Sequence, residues 1–415
     1  MSVNSAGPAT PHRRLRRGRS LWADSAGITV PHTPLDVDVV REVIDDVVVV
    51  GTGISGALVA HALLASGRAV TMLDRRPPMS GSTMASTALL QFEIDLPLHR
   101  LARKIGWPAA TRAYQRSVCA VRDLASLVRR ERIRCAFGAR ESLYLAGDAY
   151  GARALASEVE ARERAGVPGA FLSATAVRER YGLDRTGAIV STGSAIADPA
   201  QLTAGLLRRI VARGGRILTD VNVTGVDSGA HGVELTTANG PRVFANQVVF
   251  CTGYEVPTRV PRRDHRIHST WAMASAPNAV FPAWLARTVA WEASDPYLYL
   301  RTTPDGRLIA GGHDEDASSA YTIAQRLTTK ARAISDDVRS LLPTSRFRVS
   351  HTWGGAFGAS TTALPLIDRL PGARHTWVVA GFGGNGITYS MIAAQVIAAA
   401  LDGVRDADAA LYTLR

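Results

Sequence analysis

The sequence contains very few cysteines, and their spacing excludes several kinds of site. Three cysteines occur in 415 residues, at Cys119, Cys135 and Cys251. They show neither the short paired spacing of a zinc or redox motif nor the density of a disulfide framework. Since nothing else in the sequence requires their oxidation, we predict reduced packing residues in a cytoplasmic protein without a metal site.

Lysine is almost absent, although the chain is strongly basic. Lys104 and Lys330 are the only lysines among 48 basic residues, and the formal net charge is +12. Positive charge is concentrated in HRRLRRGRS near the N-terminus. Nucleic-acid binding is not predicted, because no face with interleaved aromatic and basic residues is visible.

By inspection, the sequence also contains no long apolar run. No stretch approaches the roughly 18–20 apolar residues of a membrane span, so we predict no membrane span. Asp24, Pro31 and Pro34 occupy the region where a signal peptide would be apolar. We predict instead that residues 1–44 form a loosely packed, partly extended leader.

The order of apolar segments predicts an α/β fold with α+β insertions. Val47 to Val50 form a β-branched run typical of a strand buried on both faces, and a helical pattern then ends at Gly67 before the strand AVTMLD. This βαβ opening predicts a Rossmann-type sheet. A helix over 108–133, a helix capped by Asp198 and several short turn-separated strands follow, and these strands predict an antiparallel sheet.

The segment GTGISG, between the first strand and its helix, has the glycine spacing of a dinucleotide-binding turn. Gly51 permits the tight turn, Gly53 lets the backbone approach a diphosphate, and Gly56 lets the helix pack on the strand. Asp74 follows the second strand, where a carboxylate can accept hydrogen bonds from ribose hydroxyls and disfavours a 2′-phosphate. These residues predict NAD or FAD and make NADP a poor fit.

Two later segments favour FAD. The Ser/Thr-rich segment 80–87 follows the second strand directly, where an NAD enzyme would continue its alternation of helices and strands. Near the C-terminus, GFGGNGIT forms a glycine-rich turn before a helix, and such a turn offers backbone donors to negative charge on a flavin. The combination resembles the D-amino acid oxidase superfamily of FAD-dependent amine and amino acid oxidoreductases. The leader RSLWADSAGITVPHTPLDVDVV resembles its gamma-glutamylputrescine oxidase branch.

The resemblance covers about residues 45–405 and implies a divided architecture. The FAD-binding domain would comprise 45–105, 196–262 and 351–415, and an interleaved substrate domain on an antiparallel sheet would comprise 106–195 and 263–350. The resemblance further implies that FAD contacts Gly51, Gly53, Ile54, Ser55, Gly56, Asp74, Arg75, Ser82, Thr83, Thr87, Val223, Thr252, Gly253, Gly383, Gly384, Asn385, Gly386, Ile387 and Thr388.

Two departures from the family pattern are informative. GAFGASTT lacks the cysteine, and GSTMAST the histidine, through which some members attach FAD covalently, so we predict a non-covalent cofactor. Phe357 stands where amino acid oxidases of the family place an arginine for the substrate carboxylate. A simple α-amino acid is therefore disfavoured, and an amine, or an amino acid bound by another arginine such as Arg301, is favoured.

We predict that the substrate site is built from strands of the substrate domain and the C-terminal loops. Tyr297, Tyr299 and Arg301 alternate on one predicted strand and should share a face. The histidine-containing segments DHRIH and HDED lack the partner pattern of a metal site and are predicted to be solvated loops. The candidate catalytic residues are Tyr299, Arg301, Trp353, Phe357 and Asn385, with Trp271, Trp291 and Tyr297 as further lining residues.

The expected activity is oxidation of a C–N bond in an amine or N-substituted amino acid by hydride transfer to flavin N5, then imine hydrolysis and reoxidation by oxygen or an electron carrier. A 2-hydroxy acid or polyol dehydrogenase on the same fold, a flavin-bearing subunit without turnover, and an NAD-only dehydrogenase remain alternatives. Substrate identity, the electron acceptor and a possible homo-oligomeric state are left open by the sequence.

Overall fold

The computed structural model of the protein describes residues 9–35, 42–238 and 240–414. Its helices are α1 (Ile54–Ala65), α2 (Leu98–Ile105), α3 (Trp107–Arg130), α4 (Ala152–Arg164), α5 (Ala174–Tyr181), α6 (Pro199–Ala212), α7 (Ala324–Leu341) and α8 (Gly386–Leu401). Its strands are β1 (Arg16–Arg19), β2 (Thr33–Pro34), β3 (Glu42–Val50), β4 (Val70–Leu73), β5 (Leu89–Leu90), β6 (Gly138–Leu145), β7 (Ala170–Ser173), β8 (Gly187–Ile196), β9 (Arg216–Thr219), β10 (Val223–Ser228), β11 (Val233–Thr237), β12 (Arg242–Phe250), β13 (His265–Ser275), β14 (Thr288–Glu292), β15 (Leu298–Thr302), β16 (Leu308–Glu315), β17 (Val349–Ser360), β18 (Leu366–Arg369) and β19 (Thr376–Ala380).

The first sheet has a parallel centre that brings three loops to one edge. Its order is β10-β11-β12-β3-β4-β9-β2, with β19 parallel to β12 and β18 paired to β19. The side chains of β3 alternate between two cores, since Val47 and Val49 pack under α1, α6 and α8, whereas Val48 and Val50 face the meander β10–β11. Because β3, β4 and β12 run parallel, the loops after them meet at their carboxyl ends.

The second sheet is mostly antiparallel and forms the opposite wall of the molecule. Its order is β1-β17-β13-β16-β15-β14-β6-β8-β5, and β7 also pairs with β8. Helix α7 covers one face of this sheet, where Ile334 and Val338 are completely buried. The two sheets match the α/β fold with an interleaved antiparallel sheet that the sequence predicts.

The division of the chain between the sheets departs from the predicted segments at two strands. β5 lies within the predicted first cofactor segment, and most of β17 lies within the predicted third one, yet both belong to the second sheet. The apolar pattern does not reveal which of the two sheets each strand joins, because a strand's sequence does not identify its pairing partner.

The N-terminal leader is more ordered in its described part than the sequence suggests. β1 pairs antiparallel with β17, and Trp22 is buried and donates Nε1–H to the carbonyl of Ser86 at 2.6 Å. The expectation of loose packing is therefore wrong for this part, since a buried indole and a strand pairing hold it in place. Residues 1–8 and 36–41 of the predicted leader lie outside the described residues.

Two helix predictions can be compared directly with the structure. Asp198 caps α6 as predicted, because its carboxylate accepts hydrogen bonds from the N–H groups of Ala200 and Gln201, both at 2.9 Å. The expectation of no long apolar run needs correction, since residues 383–401 have the length and hydropathy of a membrane span, with a mean hydropathy of 1.2. That stretch is 56% buried, and α8 packs in the core beside α1 and α3.

Candidate active site

A cavity of about 520 Å³ lies between the two sheets and is lined by residues from both. One end begins at the carboxyl ends of β3 and β4, and the other reaches the glycine-rich turn before α8. A hydrogen bond of 2.7 Å between the hydroxyls of Ser55 in α1 and Ser390 in α8 links the two helices that start at these ends. The two glycine-rich segments singled out in the sequence therefore belong to one site.

The first glycine turn has a backbone that leaves no room for side chains. Gly51 has φ +112°, and a Cβ atom there would overlap the carbonyl oxygen of Cys251. A Cβ atom at Gly56 would overlap the carbonyl oxygen of Gly51, so this glycine lets α1 start against the turn. Gly53 is less constrained, since its Cβ atom would approach only the hydroxyl of Thr83, at 3.0 Å.

Asp74 is fixed at the end of β4 beside this turn. Its Oδ2 accepts hydrogen bonds from the backbone N–H and the hydroxyl of Thr52, at 2.8 and 2.7 Å, and its Oδ1 accepts one from the N–H of Arg76 at 3.0 Å. Both oxygens keep further lone pairs, and the residue lines the cavity. The carboxylate is thus oriented for the ribose contacts that the sequence predicts.

The same end of the cavity is closed by the leader and by two arginines. Arg76 donates two hydrogen bonds to Glu255, at 2.9 and 2.7 Å, and the N–H of Arg13 donates to Oε1 of Glu255 at 2.7 Å. Arg75 donates to the hydroxyl of Thr10, and both of these residues line the cavity. The two guanidinium groups are matched by two carboxylates at this end, those of Glu255 and Asp74, so the formal side-chain charge is balanced.

The far end is formed by the turn before α8 and by the segment 91–95. Asp95 accepts the N–H of Gly384 at 2.8 Å, and the amide of Asn385 donates to the carbonyl of Glu93. Gly383 has φ +53°, and a Cβ atom at Gly383 or Gly384 would approach the carboxylate of Asp95 closely. This turn therefore needs glycine because an acidic side chain lies against it.

The lining fits a dinucleotide on structural grounds. An elongated cavity connects a strand–turn–helix with a bare backbone, an oriented carboxylate and a second glycine-rich helix start. Its described lining includes no histidine and a single cysteine, Cys251, whose pKa is raised by burial, so a covalent link to a cofactor has no evident attachment point. The predicted cofactor residues that line it are Gly51, Gly53, Ile54, Ser55, Asp74, Arg75, Ser82, Thr83, Thr87, Val223, Thr252, Gly253, Gly383, Gly384, Asn385, Gly386 and Ile387.

Two predicted cofactor residues do not line the cavity. Gly56 lies beneath the first turn, where it permits close packing of α1. Thr388 is buried, and its hydroxyl donates to the carbonyl of Gln91 at 2.9 Å. Both residues therefore stabilise the wall of the cavity without facing the cavity.

Aromatic and acidic side chains line the far part of the cavity together. Tyr144 and Trp291 stack with ring centroids 3.7 Å apart, and Tyr297 lies beside Tyr299 with centroids 5.7 Å apart. Burial raises the pKa of both tyrosines, Tyr297 and Tyr299, so their phenols stay neutral. Phe357 also lines the cavity, as does Asn385.

Arg301 is the predicted substrate residue that the structure places elsewhere. Its side chain is 1% exposed, and it donates to the carbonyls of Thr87 at 2.7 Å and Ala197 at 2.8 Å while lying over the ring of Trp22. Burial lowers the pKa of Arg301 to about 9. Arg301 lies on the same strand as Tyr299, but its guanidinium contacts three other segments of the chain and does not line the cavity.

Two predicted tryptophans also lie outside the cavity. Trp353 is 2% exposed and donates Nε1–H to the carbonyl of Ala85 at 2.8 Å. Trp271 is buried in the core of the second sheet, with the ammonium of Lys330 4.8 Å from its ring centroid. Both indoles are packing residues.

Sequence reasoning missed two carboxylates that line the far part of the cavity. Burial raises the pKa of Asp95 to about 6, with nearby Asp314 contributing in the same direction and the Gly384 N–H opposing it. Burial also raises the pKa of Asp314, whose Oδ2 accepts a hydrogen bond from the phenol of Tyr297 at 3.2 Å. A sequence signal for burial was present for Asp95 alone, since it lies between Ile94 and Leu96, whereas Asp314 lies between the polar residues His313 and Glu315.

The segment HDED is therefore only partly the solvated loop that the sequence suggests. His313 contacts Asp337 at 2.5 Å and Asp316 contacts His268 at 2.6 Å, both pairs on the outside, whereas Asp314 faces the cavity from the end of β16. Among the described residues no group of three or more histidine, cysteine, aspartate or glutamate side chains could bind a metal ion.

Comparison with known sequences finds one family over most of the chain. A family model described as FAD dependent oxidoreductase (DAO) matches residues 46–400. A curated relative, the putative Rieske 2Fe-2S iron-sulfur protein YhfW of Bacillus subtilis (strain 168), is 21% identical over 370 residues, which cover 85% of this chain and 67% of that protein.

Comparison with solved structures gives the same fold. Glycine oxidase from Geobacillus kaustophilus superposes with a TM-score of 0.74 at 19% identity, covering 90% of this chain and 98% of that one. L-proline dehydrogenase from P. horikoshii superposes with a TM-score of 0.71 at 19% identity, covering 90% and 97%. At this identity the likeness shows a shared fold, and the substrate has to be argued from the lining of the cavity.

Proposed function

The chain belongs to the family of FAD-dependent oxidoreductases, and we propose that it oxidises a C–N bond of a small amine. Bound FAD supplies the two-electron acceptor that converts such a bond to an imine, which water then hydrolyses. The proposal rests on the distribution of charge along the cavity.

Acidic groups line the substrate part of the cavity, and basic groups do not. Asp95 faces it from the segment between β5 and α2, and Asp314 faces it from the end of β16. Arg75 and Arg76, at the first glycine turn, are the only arginines in the described lining, which holds no lysine. A substrate carboxylate would meet like charge at the far end and no bidentate arginine. An amine fits this lining better than an N-substituted amino acid does.

Phe357 supports the same choice of substrate. It lies on β17 and lines the cavity, with its ring centroid 6.2 Å from that of His268. An apolar ring at this position offers an alkyl chain a contact that excludes water. Tyr144 and Trp291 extend the aromatic wall, and stacked aromatic faces attract alkylammonium groups.

The direct test is anaerobic bleaching of the purified flavoprotein by a panel of primary amines, secondary amines, α-amino acids and 2-hydroxy acids. We expect amines to bleach the flavin fastest. Bleaching by 2-hydroxy acids alone would replace this function with that of a hydroxy acid dehydrogenase. A flavin that no compound bleaches would indicate a binding subunit without turnover. Oxygen uptake measured against dye reduction then identifies the electron acceptor.

The variant Phe357→Arg tests the basis of substrate choice. If Phe357 disfavours carboxylates, the arginine should give measurable binding of small α-amino acids and weaken binding of amines. Phe171→Arg is the matched control, since this ring is exposed on β7 and does not line the cavity. Loss of amine oxidation in the Phe357 variant without gain of amino acid binding would contradict this part of the proposal.

A further inference from the structure

One tyrosine in the wall of the cavity has a hydroxyl group without a partner. Tyr144 lies on β6, its side chain is 4% exposed, and it lines the cavity. Its hydroxyl makes no hydrogen bond with another residue that the structure describes, yet the oxygen keeps accessible surface. Since the little surface that Tyr144 exposes lies in the cavity wall, a ligand in the cavity can reach this hydroxyl.

A second buried tyrosine shows what distinguishes Tyr144. Tyr181 is 5% exposed, its ring packs against that of Trp284 with centroids 5.2 Å apart, and its hydroxyl also has no partner among the described residues. That oxygen is sealed inside the protein, and Tyr181 does not line the cavity. The two phenols therefore differ in whether a ligand can reach them.

The ring of Tyr144 is held in one orientation by its neighbours. It stacks on the ring of Trp291 with centroids 3.7 Å apart and 12° between the planes. Trp291 donates Nε1–H to the hydroxyl oxygen of Ser142 at 3.1 Å, and the amide of Gln91 donates to the same oxygen at 3.4 Å. A hydroxyl on a ring that is already fixed loses little further conformational freedom when it binds a ligand.

The hydroxyl of Tyr144 is a neutral donor. Burial raises the pKa of Tyr144, with Tyr150 adding to this effect and Arg162 opposing it, so the phenol keeps its proton at neutral pH. A buried Tyr hydroxyl usually has a hydrogen-bond partner, and leaving one unpaired in a closed site costs free energy. A ligand that offers this proton an acceptor should therefore bind better than one that offers a methyl group.

The chemistry of the cavity limits which ligand group this acceptor can be. The reacting nitrogen is a poor partner, because its lone pair has to form the imine. A carboxylate is a poor partner, because Asp95 lies near Tyr144 and no basic side chain of the described lining lies beside it. An ammonium group brings donors and leaves the phenol proton without an acceptor.

A hydroxyl group of the ligand suits this wall best. It can accept the hydrogen bond of Tyr144 and still donate one of its own. Gln91 lines the cavity and uses its amide nitrogen on Ser142, so its amide oxygen remains as an acceptor in the same wall. The wall thus offers one donor and one acceptor, both uncharged.

We propose that Tyr144 determines specificity by donating a hydrogen bond to a hydroxyl group of the substrate, so that the preferred substrate is an amino alcohol. This assignment rests on the proposed amine oxidation. The nitrogen end is oxidised to the imine, with two electrons passing to the cofactor, and water then releases ammonia from a primary amine. The hydroxyl at the other end is unchanged, and Tyr144 takes no part in bond breaking.

The test uses compounds of equal length that differ only at the remote end. Aminopropanol, aminobutanol, aminopentanol and aminohexanol are compared with butylamine, pentylamine, hexylamine and heptylamine, in which a methyl group replaces the hydroxyl, and with the diamines of the same lengths. Tyr144→Phe removes the hydroxyl and keeps the stacked ring. Tyr181→Phe is the matched control, since it removes a buried, unpartnered hydroxyl outside the cavity.

Turnover and binding are measured separately. kcat/KM is obtained from ammonia release, and Kd is obtained by calorimetry on holoprotein reduced with dithionite, which accepts no further electrons. We expect one amino alcohol to exceed both its methyl analogue and its diamine in the two measurements. Tyr144→Phe should lower the ratio of alcohol to methyl analogue about 3- to 10-fold, as for loss of a neutral hydrogen bond, and Tyr181→Phe should leave the ratio unchanged.

The outcomes distinguish failure of this assignment from failure of the proposed reaction. If the unchanged protein prefers the methyl analogues or the diamines, or if Tyr144→Phe keeps the preference for the alcohol, the assignment of Tyr144 is wrong and amine oxidation stands. If no compound bleaches the oxidised flavin, yet the reduced protein prefers an amino alcohol and loses that preference in Tyr144→Phe, the assignment stands and the reaction is wrong. Absence of both bleaching and preferential binding overturns both.

Discussion

Replacement of Arg301 by lysine should destabilise the protein without changing substrate recognition. Arg301 connects the segment before β5 at Thr87, the residue after β8 at Ala197 and the leader at Trp22. Lysine keeps the positive charge in the same place, so the cost of burying a charge is retained and largely cancels in the comparison. What lysine lacks is the planar guanidinium group, which carries several N–H donors in fixed directions.

The magnitude follows from the two short hydrogen bonds. Nε donates to Thr87 at 2.7 Å and Nη2 to Ala197 at 2.8 Å, in different directions. A single ammonium cannot reach both carbonyls in that geometry, so at least one charge-assisted hydrogen bond is lost, worth about 1.5–3 kcal/mol. The stacking of a guanidinium on the Trp22 ring, 5.3 Å from its centroid, is lost as well. We expect the free energy of unfolding to fall by about 2–3 kcal/mol.

Urea unfolding followed by circular dichroism and by flavin release measures this loss, while the KM for the best amine measures substrate binding. Arg287→Lys is the control, since Arg287 ends a short helix on the outside and is exposed. An unchanged urea midpoint together with a raised KM for Arg301→Lys would refute the structural role and return Arg301 to the substrate site.

Three further predictions concern the cavity and the leader. Gly51→Ala should yield flavin-free protein, because its Cβ atom would overlap backbone, whereas Gly151→Ala, at a glycine with open space around it and outside the cavity lining, should keep its flavin absorbance. Burial raises the pKa of Asp95 to about 6 and makes its ionisation unfavourable in the folded state, so unfolding measurements should show a stability loss as pH rises through about 6 that Asp95→Asn lacks. Trp22→Ala should open the leader to trypsin at the arginines of 13–19, while the unchanged protein resists cleavage there.

The parts of the site built from short sequence segments were predictable. The first turn depends on a strand, three glycines and a helix within 25 consecutive residues, and Asp74 follows on the adjacent strand, so local spacing determines their geometry. The turn at Gly383 to Gly386 was recognised for the same reason. In both places the sequence signal and the structural requirement involve the same few residues.

Residues brought in from distant segments were not predictable in this way. Alternation along β15 correctly placed Tyr299 and Arg301 on one side of the strand, but it carries no information on what covers that side. The leader covers it at Arg301 and leaves it open at Tyr299. Asp95 and Asp314 were missed because their proximity depends on how the segment after β5 lies relative to the end of β16, which periodicity does not specify.

The two ends of the cavity differ in their electrostatics, which gives the site a direction. At the first end Arg75 and Arg76 are matched by Asp74 and Glu255, so the N-terminus of α1 and its backbone N–H groups are what favour the negatively charged part of a dinucleotide there. At the far end Asp95 and Asp314 have no basic side chain beside them in the described lining, which disfavours a reversed cofactor. The same asymmetry can thus orient an anionic cofactor and favour an amine that faces it, and neutralising the far end should weaken both preferences together.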